Sequence, residues 1–145
     1  METNTGIEMA ATRIKEAPLG AALVQGKGKR ILCVDDSILI VNMIRRTFSL
    51  RGFHVYGYTD PCEALVALFD DPFQFDLVVT DYEMPHISGL NFAKIIKSIR
   101  SDLPVIMVSG NTTKELQDQA PCAGIRELIT KGDTVNLLKA VDNYI

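Results

Sequence analysis

Carboxylates stand where two apolar runs break off. The stretch "RILCVDDS" carries Ile31, Leu32, Cys33 and Val34 into the adjacent pair Asp35 and Asp36, and "LVVTD" ends on Asp81. Adjacent acids repel each other and resist leaving water, so a pair at the rim of an apolar run needs compensation. A solvated loop with a helix cap is the simpler source of it, and a bound cation is the more demanding one. Two further polar residues end apolar runs, Ser109 after "PVIMV" and Lys131 after "LIT". Taken singly, each has an ordinary use. Serine at such a place often caps the next helix, a lone lysine is usually solvated surface, and Asp81 could open the turn ahead of Pro85. Chemistry requires that they converge, and that depends on the elements between them.

Five short apolar runs recur from Arg30 onward: "ILCVDD", "FHVYGYT", "FDLVVTD", "PVIMVSG" and "RELITK". Most are rich in Val and Ile and too short for independent helices, so they read as strands. Helical stretches separate them. "SILIVNMIRRTFSLRG" opens on Ser37 as N-cap and closes at Gly52. "DPCEALVALFDD" has Asp60 as cap and Pro61 at the first helical position. "SGLNFAKIIKSIRS" predicts a buried side of Leu90, Ala93, Ile96 and the Lys97 stem, and "DTVNLLKAVDNYI" one of Val135, Leu138 and Val141. "NTTKELQDQAPCAG" is the weakest, expected to be cut short by Pro121.

Strand and helix alternating in this way imply an α/β fold, a three-layer (βα)5 doubly wound parallel sheet with helices on both faces. The right-handed crossover rule leaves few topologies, and the flavodoxin-like strand order 2-1-3-4-5 leads among them. Ligands of such sheets bind beyond the carboxyl ends of the strands, where the order switches. Asp35, Asp36, Asp81, Ser109 and Lys131 then share one rim, supplied by four strand ends. Clustered acids with oxygen-only donors select a hard cation, and Mg2+ is the usual one where phosphate is handled.

Composition sets the bounds. The 145 residues suit one domain, and 15 basic against 18 acidic residues (net charge −3) leave no nucleic-acid footprint. Cys33, Cys62 and Cys122 are widely spaced and lie in or beside apolar sequence, so buried thiols in a reducing compartment are expected rather than disulfides or zinc. No apolar run is long enough to span a bilayer and no signal-peptide pattern opens the chain, which reads as soluble and cytoplasmic. Residues 1–29 differ from the rest. They contain Ile7, Ala10, Ala11 and Ile14 at helical spacing, then the Gly-rich basic linker "VQGKGKR". This extension is expected either to be disordered or to form a short helix packing on the domain or on a second copy. Met43, Met84 and Met107 read as packing residues, and His54 and His86 carry no pattern.

With these residues in place, the chain from about 30 to 145 resembles the receiver domains of two-component response regulators. The resemblance rests on four pieces in order: Asp35-Asp36 after a strand; "DYEMPHISG" with Asp81, Met84, Pro85 and Gly89; Ser109 ending "PVIMVSG"; and Lys131 ending "LITK". It implies a phosphoacceptor rather than an enzyme. Asp81 would take a phosphoryl group from a sensor histidine kinase or histidine phosphotransfer protein, then assist its own dephosphorylation. Mg2+, with Mn2+ able to substitute, would be held by Asp36, Asp81 and the backbone carbonyl of Glu83, with Asp35 acting mainly through water. Lys131 would touch a phosphoryl oxygen and Ser109 would hydrogen-bond the group once present. A downstream protein target is implied, with no direct nucleic-acid contact and no membrane insertion, and a homodimer is left open.

The sequence departs from the family on the side that passes the signal on. Leu128 stands where an aromatic residue is usual, Gly132 where proline is usual, and Pro121 interrupts the fourth helix. The Lys131–Gly132 bond is therefore expected to be trans. Competing readings are a receiver-fold interaction module independent of phosphorylation, and the receiver fragment of a hybrid histidine kinase. An aspartate-nucleophile phosphohydrolase would need Asp-x-Asp after its first strand, and a flavin protein a Gly/Ser/Thr-rich loop there; neither is present. With no helix-turn-helix in view after the last helix, a stand-alone receiver is expected.

Overall fold

The computed structural model describes residues 26–145, in which strands and helices alternate without exception. They are β1 (Arg30–Val34), α1 (Ile38–Ser49), β2 (His54–Tyr58), α2 (Pro61–Asp70), β3 (Leu77–Asp81), α3 (Gly89–Ile99), β4 (Val105–Ser109), α4 (Lys114–Cys122), β5 (Ile125–Thr130) and α5 (Thr134–Tyr144). All pairings are parallel and the order is β2-β1-β3-β4-β5, the doubly wound flavodoxin-like arrangement expected from the sequence.

Side-chain alternation splits the core into two layers. Leu32, Val34, Val78, Val105 and Met107 meet α2, α3 and α4, while Ile31, Cys33, Leu77, Val79, Ile106 and Val108 meet α1 and α5. β5 joins both layers through a register shift opposite Val105 and Ile106, where Arg126 is the extra residue. That shift puts Ile125 in the first layer and Ile129 in the second, although four residues along a regular strand would share a face.

Several details differ from expectation. The Ser37 hydroxyl does not cap α1; its backbone N–H instead donates to the Asp35 carboxylate at 2.9 Å. α5 buries Leu137, Ala140 and Val141, and Val135 is 63% exposed because it lies roughly 200° around the helix from Leu137. On α3, Phe92 joins Ala93 and Ile96 in the core while Leu90 is half-buried. Lys97 is exposed, with its stem running along Gly124. α4 is not cut at Pro121 but runs through it to Cys122, since a proline in the last turn forfeits little of the helical ladder. Cys62 and Cys122 are exposed, leaving Cys33 the one buried thiol among the described residues, and Met43 is also exposed. Every described peptide bond is trans, including Lys131–Gly132, and Gly132 takes φ +92°. The extension's helical pattern at residues 7–14 lies outside the described residues.

Candidate functional site

The register sets the site. Val34 pairs with Thr80, so the next residues, Asp35 and Asp81, stand level at the carboxyl rim of neighbouring strands. The backbone N–H of Asp35 donates to Tyr58 O at 3.1 Å, which fixes the first acid against the end of β2. On the other side, Lys131 N donates to Ser109 O at 2.8 Å, tying the end of β5 to that of β4. The Lys131 side chain then reaches back over the rim. Its Nζ lies 3.4 Å from Asp35 Oδ2 and 3.3 Å from Asp81 Oδ2. One carboxylate oxygen from each of Asp35, Asp36 and Asp81 lies within 4.8 Å of the others.

The three acids are not equivalent. Asp35 and Asp81 are 2% and 5% exposed, whereas Asp36 is exposed. The oxygens of Asp35 are engaged, one by the Ser37 N–H and the other by Lys131. Burial, and then the neighbouring charge of Asp35, push the Asp81 carboxyl up to about 6, with Lys131 opposing them only in part. For Lys131, burial opposes the charged form, yet the two carboxylates outweigh it and raise its pKa. One ammonium thus faces three carboxylates, and the rim is short of positive charge. The nearby Cys33 thiol is pushed up to about 12 by burial and by Asp35, so it stays protonated and takes no part.

Ser109 is buried, and its hydroxyl donates to Asn111 O at 3.0 Å while accepting from Asn111 N at 3.2 Å. The sequence reading identified Ser109 but not Asn111, although a serine two residues before a loop asparagine is a local turn signal. Glu83 is placed in a cleft of about 430 Å3 that it lines with Asp36, Tyr82, Met84, Pro85 and Ser88, opening beside the acids. All six residues expected at the site therefore lie at one rim.

Gly89 supports the rim from below. Its N–H donates to Tyr82 O at 2.7 Å, and a Cβ there would collide with the Asp81 backbone carbonyl and approach Met107 Sδ to 2.9 Å. The glycine lets α3 start directly under the β3 exit. Gly89→Ala is expected to lower stability by about 1–3 kcal/mol through overpacking. Urea unfolding midpoints read this directly, and an unchanged midpoint would show that the backbone has room to yield.

A doubly wound parallel sheet with three acids, a lysine and a buried serine on its carboxyl rim defines the class of receiver-like α/β domains, and the comparisons with known proteins agree. The sequence matches the response regulator receiver domain family over residues 31–142, and the chain belongs to that family. Among curated relatives, two-component response regulator ORR24 of Oryza sativa subsp. indica is 33% identical over 84 residues, which is 58% of this chain and 13% of that protein. Two-component response regulator ORR23 of Oryza sativa subsp. japonica is 30% identical over 110 residues, 76% of this chain and 15% of that protein. The chain thus spans a small part of the length of these relatives. Among solved structures, the chemotaxis protein CheY4 of Vibrio cholerae superposes with a TM-score of 0.75 at 27% identity, covering 81% of this chain and 99% of that one. The response regulator protein TrrA of Thermotoga maritima, in complex with Mg2+–BeF, gives 0.72 at 27% identity with the same coverage.

Proposed function

We propose that the protein is a receiver whose Asp81 accepts a phosphoryl group from a phosphohistidine on a histidine kinase or phosphotransfer partner. The observation that carries this reading is the buried Asp81 carboxylate, 3.3 Å from Lys131 Nζ at a rim shared with Asp35 and Asp36. An oxygen of Asp81 attacks phosphorus, the P–N bond of the donor breaks, and the imidazole leaves with the electron pair. The product on Asp81 is an acyl phosphate. Attack of water on phosphorus later returns the carboxylate, so the protein is a reactant in its own cycle rather than an enzyme acting on a separate substrate. Lys131, already drawn to both buried carboxylates, is the point charge that meets a phosphoryl oxygen. Ser109 exchanges its bond to Asn111 O for one to the phosphoryl group, which draws the loop from Gly110 to Lys114 inward.

Mg2+ fits the donor set, because three carboxylates within 4.8 Å face one ammonium and oxygen donors suit a hard divalent ion. Asp36, Asp81 and the Glu83 carbonyl would hold it, with Asp35 acting through water; Mn2+ would take the same donors. Bound there, the ion neutralises charge on the transferring phosphoryl group. Because the oxygens of Asp35 are already engaged, Asp35→Ala is expected to weaken Mg2+ binding on the order of tenfold through lost positioning. Asp36→Ala is expected to weaken it more. Calorimetric titration compares them, and the reverse ranking would reassign the direct ligand.

Asp36 and the cleft beside it offer an approach for a donor side chain. The partner upstream is a phosphohistidine protein and the one downstream a protein that reads the altered surface. Among the described residues no helix is long and apolar enough to cross a membrane, which agrees with a cytoplasmic setting. Incubation with phosphoramidate, whose P–N bond mimics phosphohistidine, in the presence of Mg2+ tests the reading by intact mass. Addition of one phosphate, lost on chelation of the metal, is expected. A mass that never changes would favour an interaction module independent of phosphorylation.

A further inference from the structure

Ahead of its terminal Asp81, β3 carries one polar side chain in an otherwise apolar run. Thr80 pairs with Val34 on one side and Met107 on the other, and it is wholly buried. Every residue of the strand is buried, so a valine would suit this position by shape and propensity. A hydroxyl in such a place must find an acceptor or it costs stability. Thr80 finds one in its own strand, where Oγ1 donates to the backbone carbonyl of Asp81 at 3.0 Å. Met84 Sδ lies 3.9 Å from the same hydroxyl oxygen. A hydroxyl has a single proton and a thioether is a weak acceptor, so the carbonyl takes the bond and the sulfur packs beside it.

That one hydroxyl therefore meets both ends of the segment that leaves the strand. Between Asp81 and Met84 lie Tyr82 and Glu83, and Tyr82 is fixed through both of its backbone groups. Its N–H donates to Val108 O at 3.0 Å, and its carbonyl accepts from Gly89 N at 2.7 Å. The start of α3 presses on the Asp81 carbonyl too, where a Cβ at Gly89 would collide with it. Glu83 itself is exposed, so its peptide takes its direction from these neighbours.

We infer that the Thr80 hydroxyl is a positioning group for the acid rim. By holding the Asp81 carbonyl it sets the course of residues 81–84, and with it the direction in which Glu83 offers its carbonyl to Mg2+. The inference rests on the metal reading given above for Glu83. Thr80 acts through Asp81 and Glu83 and touches neither the ion nor the phosphoryl group.

Substitutions that separate the hydroxyl from the shape supply the test. Thr80→Val keeps the branched shape and loses the donor, Thr80→Ser keeps the donor and loses a methyl, and Thr80→Ala lacks both. If Thr80 only filled space, valine would replace it better than serine. If it holds the carbonyl, the order reverses. Calorimetric titration is expected to show Mg2+ bound about tenfold more weakly by Thr80→Val than by the parent, with Thr80→Ser within about twofold of it. Amide exchange of the metal-free protein is the independent reading. Relative to the amides of β1, those of Tyr82 and Gly89 should exchange about fivefold faster in Thr80→Val and at the parent's rate in Thr80→Ser. Should Thr80→Val fail to fold, Thr80→Ser against Thr80→Ala carries the same comparison, with serine expected to bind the ion more tightly. Serine no better than valine, or than alanine in that case, overturns the inference, as does exchange indifferent to the hydroxyl. Phosphoramidate labelling separates this reading from the one it rests on. A parent that takes no phosphate, with these differences intact, overturns Asp81 as acceptor and leaves Thr80 as the support of the metal rim.

Discussion

Asp81→Asn is expected to take up no phosphoryl group under conditions in which the parent gains one. An amide is a poor nucleophile, and the substitution keeps the shape of the side chain, so the loss reports chemistry rather than collapse. The neighbouring acids are poor substitutes. Asp35 is 2% exposed, and its oxygens are already engaged by the Ser37 N–H and by Lys131. Asp36 is exposed and lacks the ammonium within 3.3 Å that Asp81 has. A positioned charge matters because phosphoryl transfer is catalysed almost entirely by alignment and electrostatics. Intact mass after treatment with phosphoramidate and Mg2+ gives the result without a cognate kinase. Lys131→Ala should retain slow labelling, since it removes charge stabilisation and not the nucleophile. Undiminished labelling of Asp81→Asn would move the acceptor elsewhere on the rim.

The rim could be read before the fold was seen because its residues sit where hydrophobic patterning stops. A strand buried on both faces is a continuous apolar run, so its carboxyl end is visible as the first charge: Asp35 after Val34, and Asp81 at the end of "LVVTD". Topology then did the remaining work, since parallel strands must all end at one edge. What escaped the sequence were choices between nearly equal faces. Val135, Leu138 and Val141 satisfy helical spacing as well as Leu137, Ala140 and Val141 do, and only packing against Ile129 and Val108 selects the second set. The slip at Arg126 left no trace because either Ile125 or Ile129 could face either layer. Ser37 looked like a cap by residue type, but its hydroxyl makes no cap bond; what holds it is its backbone N–H, which donates to the Asp35 carboxylate. Gly89 belonged to the motif, yet its reason, the Asp81 carbonyl packed against it, is three-dimensional.

The charge imbalance at the rim carries the second large effect. Asp81 is raised from the usual 3.8 to about 6, first by burial and then by Asp35, so the folded protein keeps a proton that the unfolded chain has released in that interval. A raised carboxyl favours the folded state at low pH, and that contribution is lost as pH climbs from about 4 to about 6. The shift corresponds to about 3 kcal/mol, so metal-free protein should be less stable at neutral pH than this residue alone would allow at pH 4. Lys131 acts in the other direction: its raised pKa contributes stability throughout the neutral range, lost only as pH rises through its folded value above 10.5. A divalent ion must displace the Asp81 proton, so Mg2+ should bind about tenfold more weakly near pH 5 than near pH 7.5. At about 100 times its Kd, the ion should add about 2.7 kcal/mol of stability, a gain that shrinks on acidification. Denaturant unfolding at several pH values, with Mg2+ and with chelator, measures each part. Asp81→Asn should be more stable than the parent at neutral pH without metal, and should lose most of the dependence between pH 4 and 6. If that variant keeps the parent's pH profile, another group is titrating and the buried charge at Asp81 is not what the metal relieves.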